Sequence, residues 1–180
     1  MAIKVKIEQE DLILYEIIKN PVLFGEFIYN LDLMSHEESF EFDDYQKEMI
    51  CDFNSYESLC CARSVGKTTV LSSLITWIMV NDVYPGDYIS YHVPGKNHVE
   101  PVFTRLVRTL RTNSFLKHYI DPKSGVNHSD LIIRLKNNNI QFIAGGIEDF
   151  EFLDQCEKKG AKYLITHDVQ YFVGHRSSWK

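Results

Sequence analysis

Residues 58–71, Ser-Leu-Cys-Cys-Ala-Arg-Ser-Val-Gly-Lys-Thr-Thr-Val-Leu, constrain the fold more than any other stretch of the chain. A short apolar run leads into a small polar loop and then into Gly66-Lys67-Thr68-Thr69. After these comes an apolar-periodic segment through Val70, Leu71, Leu74, Ile75, Trp77 and Ile78 that predicts a helix. The order is strand, loop, helix. A helix start of this kind turns backbone N–H groups and the positive end of a dipole toward an anion, and Gly66 lets the backbone approach it closely. Lys67 would reach the β- and γ-phosphates of a nucleotide, and the Thr68 hydroxyl would hold a magnesium ion. The phosphate-loop pattern has a glycine where this chain has Cys61.

Composition narrows the class. A chain of 180 residues with 44% hydrophobic and 13% aromatic content fits one sizeable globular core and is too short for two large domains. With a formal net charge of −6 there is no global basic footprint, so any contact with DNA has to be local. Cys51, Cys60, Cys61 and Cys156 show no paired C-x-x-C spacing and follow no cleavable signal, which reads as reduced thiols in a cytosolic protein. The most apolar window, residues 71–80, is broken by Ser72, Ser73 and Thr76 and is too short to span a bilayer, so no membrane role is expected. No repeat or linker divides the chain.

In chain order, residues 9–31 carry two helical patterns separated by Asn20-Pro21, with Pro21 placed as a first helical residue. The pattern resumes at Phe42-Asp43-Asp44-Tyr45-Gln46, a helix start with Asp43 or Asp44 as N-cap. Gln46 is either an ordinary exposed helix glutamine or a carboxamide facing an adenine edge. Residues 88–93 predict a buried strand ending at Pro94-Gly95, and 97–116 predict a helix with Arg105, Arg108 and Arg111 along one face. That row reads as the solvated side of an amphipathic helix or as a phosphate-backbone contact. Residues 130–135 and 140–146, joined by Lys136-Asn137-Asn138-Asn139, predict a β-hairpin. An apolar strand then runs through Tyr163, Leu164 and Ile165 to His167-Asp168, where a carboxylate at a strand end can organise magnesium and an attacking water.

Taken together, these pieces resemble the ATPase domain of the large terminase subunit, the DNA-packaging motor of tailed bacteriophages, over about residues 20–172. Phe42-Asp43-Asp44-Tyr45-Gln46 looks like the family's adenine-side motif. Ala62-Arg63-Ser64-Val65-Gly66-Lys67-Thr68-Thr69 looks like its variant phosphate loop, which commonly lacks the first glycine and carries an arginine at the place of Arg63. Leu164-Ile165-Thr166-His167-Asp168 stands at the second nucleotide motif. The resemblance implies a three-layer α/β fold of the RecA-like kind, with a mostly parallel central sheet and an inserted β-hairpin. Residues 1–40 would be an N-terminal helical extension and 41–180 the ATPase core.

The same resemblance implies ATP and magnesium as cofactors. Tyr45 and Gln46 would hold adenine, and Ala62, Arg63, Ser64, Val65, Gly66, Lys67, Thr68 and Thr69 would wrap the phosphates. Lys67, Arg63 and Asp168 would be catalytic, with Thr68 and Asp168 at the metal. Arg63 would act in its own subunit or reach a neighbour's site. Double-stranded DNA, a portal protein, a small terminase subunit and a ring of further copies are the implied partners, in the host cell cytoplasm.

Two departures stand out. The family shows two adjacent acids where this chain reads His167-Asp168, so one carboxylate is absent whichever residue takes the magnesium position, and imidazole is a poor magnesium ligand. The family also continues into further strands, a coupling segment and a nuclease domain, whereas this chain stops at Lys180, as an incomplete motor domain would. The competing readings are a catalytically silent nucleotide-binding assembly module and a helicase-like ATPase.

Overall fold

The computed structural model describes residues 9–33, 38–51, 65–81, 88–93, 96–136, 141–146 and 163–166. They fall into two compact units, Met1–Asn81 and Asp82–Lys180.

The first unit is helical: α1 (Gln9–Lys19), α2 (Pro21–Asn30), α3 (Asp44–Cys51) and α4 (Lys67–Asn81). The break between α1 and α2 is local chemistry. Asn20 is extended, its Oδ1 accepts the N–H groups of Val22 at 2.9 Å and Leu23 at 3.1 Å, and Pro21 occupies the first turn where no N–H is needed. Helix α1 forms as its periodicity predicts, yet none of its residues is buried, and Leu12, Ile13 and Tyr15 are exposed. Its C-terminal end is tied down through the carbonyl of Ile18, which accepts from Trp77 Nε1 at 2.9 Å and Asn81 Nδ2 at 3.1 Å on α4.

Helix α2 lies against both α3 and α4. Phe24, Ile28, Phe42, Ile50, Val70, Leu74, Ile75 and Ile78 are buried in this unit, each such side chain stabilising by about 1.5–3 kcal/mol on removal from water. The approach of α2 depends on Gly25: a Cβ there would meet Ser73 Oγ on α4 and come within 2.6 Å of Phe42 Cε2. The Ser73 hydroxyl, buried without a hydrogen-bond partner among the described residues, can rotate away, but the Phe42 ring sits edge-on to Phe40, 5.0 Å between centroids, and is itself buried. Gly25→Ala is therefore expected to destabilise the protein by about 1–3 kcal/mol through overpacking, read as a lower midpoint in denaturant with an unchanged slope.

Between α2 and α3 the chain is pinned by side chains. Asn30 Nδ2 donates to the Phe40 carbonyl at 2.7 Å and its Oδ1 accepts the Phe40 N–H at 2.7 Å. Glu26 Oε1 accepts the Phe42 N–H at 3.1 Å. Lys47 Nζ, donating to Glu41 at 2.6 Å, holds the Glu41 carboxyl below the usual carboxylate range, and the same bond raises Lys47.

The second unit contains β1 (Tyr88–Val93), α5 (Lys96–Thr112), a 3-10 turn (Leu116–His118), β2 (Val126–Asn127), β3 (Ile132–Arg134), β4 (Gln141–Gly146) and β5 (Tyr163–Thr166). The five strands make one sheet in the order β2-β3-β4-β1-β5. β1 is parallel to β4, from Tyr88↔Gln141 to Val93↔Gly146, and parallel to β5, from Ile89↔Tyr163 to His92↔Thr166. β3 is antiparallel to both β4 and β2.

The α/β character is as expected, but the mostly parallel, three-layer arrangement is corrected: half the pairings are antiparallel, and α5 is the one long helix of this unit among the described residues. The two strands of the predicted hairpin form and pair antiparallel, with Ile133 opposite Phe142, while its turn at 137–140 lies outside the described residues; the pair is not an insertion hung on the sheet. Its second strand also pairs with β1, so the antiparallel extension grows out of the parallel core, because β4 has two hydrogen-bonding edges and both are used.

Helix α5 buries Val99, Val102, Phe103, Leu106, Val107 and Leu110, while Arg108 and Arg111 are exposed and Arg105 is half-buried. It ends four residues before Leu116, because Asn113 Oδ1 takes the N–H groups of Phe115 at 3.0 Å and Leu116 at 3.1 Å and offers the backbone an alternative to the helix. Strand β2 was not predicted, since two residues carry no readable period.

Candidate functional site at the start of helix α4

Helix α4 begins at Lys67, and the residue before it, Gly66, has φ +79°, a left-handed conformation that side-chain-bearing residues rarely adopt. The Gly66 carbonyl accepts from Thr69 N at 2.8 Å and Val70 N at 3.1 Å, which closes the first turn behind the glycine. Lys67, Thr68 and Thr69 are half-buried in that turn. Tyr29 on α2 donates its hydroxyl to the Thr69 carbonyl at 3.3 Å, so the N-terminal helices reach the first turn of α4 directly.

Facing this turn is the start of α3. Asp43 caps that helix through its carbonyl, which accepts from Gln46 N at 2.9 Å and Lys47 N at 3.0 Å. Gln46 Oε1 reaches back to the Asp43 N–H at 3.1 Å, one half of a capping box. Gln46 Nε2 donates to the Val65 carbonyl at 3.2 Å and contacts Tyr45 Oη at 3.2 Å, and Tyr45 Oη donates to the same Val65 carbonyl at 2.8 Å. Gln46 is thus not an exposed helix glutamine. It is buried, at 9% exposure, against the backbone that enters α4.

Of the residues singled out in the sequence, the structure brings Tyr45, Gln46, Val65, Gly66, Lys67, Thr68 and Thr69 together. Ala62, Arg63, Ser64, His167 and Asp168, with the strand expected before the loop, lie outside the described residues, as do Cys60, Cys61 and Cys156. Cys51 is a free, exposed thiol. Tyr29 and the back-bond from Gln46 to Asp43 were not anticipated. The Asp43-x-x-Gln46 spacing is itself a capping-box signal and predicts the second of these; nothing local predicts the first, because 40 residues separate Tyr29 from Thr69.

The positive-φ glycine, a lysine and threonine on the first turn and the glutamine-braced backbone thus stand together at one helix start. The fold is similar to that of the HK97 bacteriophage large terminase in its crystal structure, with a TM-score of 0.58 and 15% sequence identity over 83% of this chain. The chain spans 36% of that terminase's length. No protein-family model and no curated protein matches the sequence. Among the described residues no helix is long and apolar enough to cross a membrane.

Proposed function

We propose that this chain is the ATP-binding and hydrolysing part of a DNA-packaging terminase motor. The observation that carries the reading is Gly66 at φ +79° opening a fifteen-residue helix whose first two residues are Lys67 and Thr68. The terminase-like fold supports it. Backbone N–H groups of the loop and of the first turn would hold the phosphates, Lys67 would neutralise charge developing on them, and Thr68 would supply a hydroxyl oxygen to magnesium. Thr68 and Asp168 would hold the magnesium, which would supply positive charge against the phosphates. Arg63 would add positive charge at the γ-phosphate, and Asp168 would orient the attacking water. Double-stranded DNA would be the cargo, driven through a ring of copies docked on a portal protein, with a small terminase subunit as a further partner, in the host cytoplasm.

A second reading is favoured by one feature, His167 where a second acid would stand: an assembly module that binds ATP and does not turn it over. The two are separated by magnesium-dependent phosphate release measured beside ATP-binding calorimetry, on this chain and on His167→Asp. Turnover by the unaltered chain is the expected result for a motor. Binding without turnover, with turnover appearing in His167→Asp, would instead mean a silenced site, and absence of binding would defeat both readings.

A further inference from the structure

We propose that Tyr45 and Gln46 are positioning residues that fix the phosphate-binding backbone of the loop, so that the site selects the triphosphate chain of its ligand and draws no adenine preference from this glutamine. The inference rests on the phosphate-loop reading given above. An adenine edge offers one acceptor and one amino donor, and a carboxamide must keep an N–H and its oxygen available to pair with both. Here Oε1 is engaged by the Asp43 N–H at 3.1 Å, and Nε2 is engaged by the Val65 carbonyl and Tyr45 Oη, each at 3.2 Å. With 9% of the residue exposed, a base would have to displace bonds that cap α3 and bind the loop.

Those bonds have a defined effect on the backbone. The Val65 carbonyl receives two donors, Tyr45 Oη at 2.8 Å and Gln46 Nε2 at 3.2 Å, which uses both of its lone pairs. The peptide that follows is planar and trans, so its N–H, that of Gly66, points to the side opposite the carbonyl, away from α3. Holding the carbonyl therefore aims the Gly66 N–H, one of the groups that a loop of this kind turns toward phosphate. Gly66 also leaves room for the clamp, since a Cβ there would lie 2.5 Å from Gln46 Nε2.

Two variants remove the clamp differently. Gln46→Glu keeps an oxygen for the Asp43 N–H and loses the donor to Val65 and to Tyr45, whereas Tyr45→Phe deletes the shorter bond to Val65 and the acceptor of Gln46 Nε2 without adding charge. Binding of ATP, GTP and inorganic tripolyphosphate, each with magnesium, is measured by calorimetry, beside the unfolding midpoint of the nucleotide-free protein. Each variant loses two hydrogen bonds of the clamp, so Tyr45→Phe and Gln46→Glu are each expected to weaken all three ligands by about tenfold. The ratio of ATP to GTP affinity should stay at its unaltered value, and the midpoint of Tyr45→Phe should not move.

Selective loss of ATP in either variant would overturn the inference, as would unchanged binding of all three ligands. A loss of affinity matched by a lower midpoint in both variants would assign the pair to folding alone and overturn it too. Failure of the unaltered chain to bind any of the three defeats the phosphate-loop reading itself, and that result is read before any variant is made.

Discussion

Lys67→Ala is expected to lower the rate of ATP hydrolysis by roughly a thousandfold, a loss of ~4 kcal/mol of transition-state stabilisation. Phosphoryl transfer leaves little covalent work to the protein, so positioning and fixed charge dominate, and a cation lost from the phosphates is not replaced by water as effectively. The variant should fold normally. Lys67 is the first residue of α4 and half-buried, and alanine is at least as good a helix former there, so stability should change by no more than about 0.5 kcal/mol. Phosphate release is the measurement, with the unfolding midpoint as control. A variant that hydrolyses ATP at the original rate would remove Lys67 from the site.

Gly66→Ala should fail in the opposite way, through the fold first. At φ +79° an L side chain costs about 1–2 kcal/mol. The new methyl group would also stand 2.5 Å from Gln46 Nε2. A free glutamine end would swing aside at little cost, but this one is held by Val65, Tyr45 and Asp43, so the methyl displaces a set of part-buried hydrogen bonds worth about another 1–2 kcal/mol. A total near 2–4 kcal/mol corresponds to a melting temperature lower by roughly 5–10 °C, with triphosphate binding lost alongside it. Wild-type stability and affinity in Gly66→Ala would mean that the loop does not need the left-handed glycine. Together the two substitutions separate charge from geometry: one is expected to silence hydrolysis in a stable protein, the other to loosen the backbone around Gly66.

What the chain determines by itself is its local structure. Asn20-Pro21 stops one helix and starts the next because an amide oxygen and a missing N–H act within three residues of the break. The apolar runs at 130–135 and 140–146 mark β3 and β4, and the apolar period from Val70 to Ile78 marks α4, with Gly66-Lys67-Thr68 at its head. The candidate loop was legible for the same reason, since its residues are consecutive. Only the tertiary structure decides the remainder. Strand order puts β1 between β4 and β5, although the paired Ile89 and Tyr163 are 74 positions apart, and no local pattern encodes a partner at that distance. The apolar residues of α1 gave it a helix but no burial, because periodicity reports a face and not what covers it. Gln46 is the sharpest case: its position on a helix start was readable, but its role depends on a carbonyl 19 residues away and on the burial that closes around both. Hydrogen-bond partners of a side chain are chosen by the neighbours that folding supplies, and those neighbours are not written beside it in the chain.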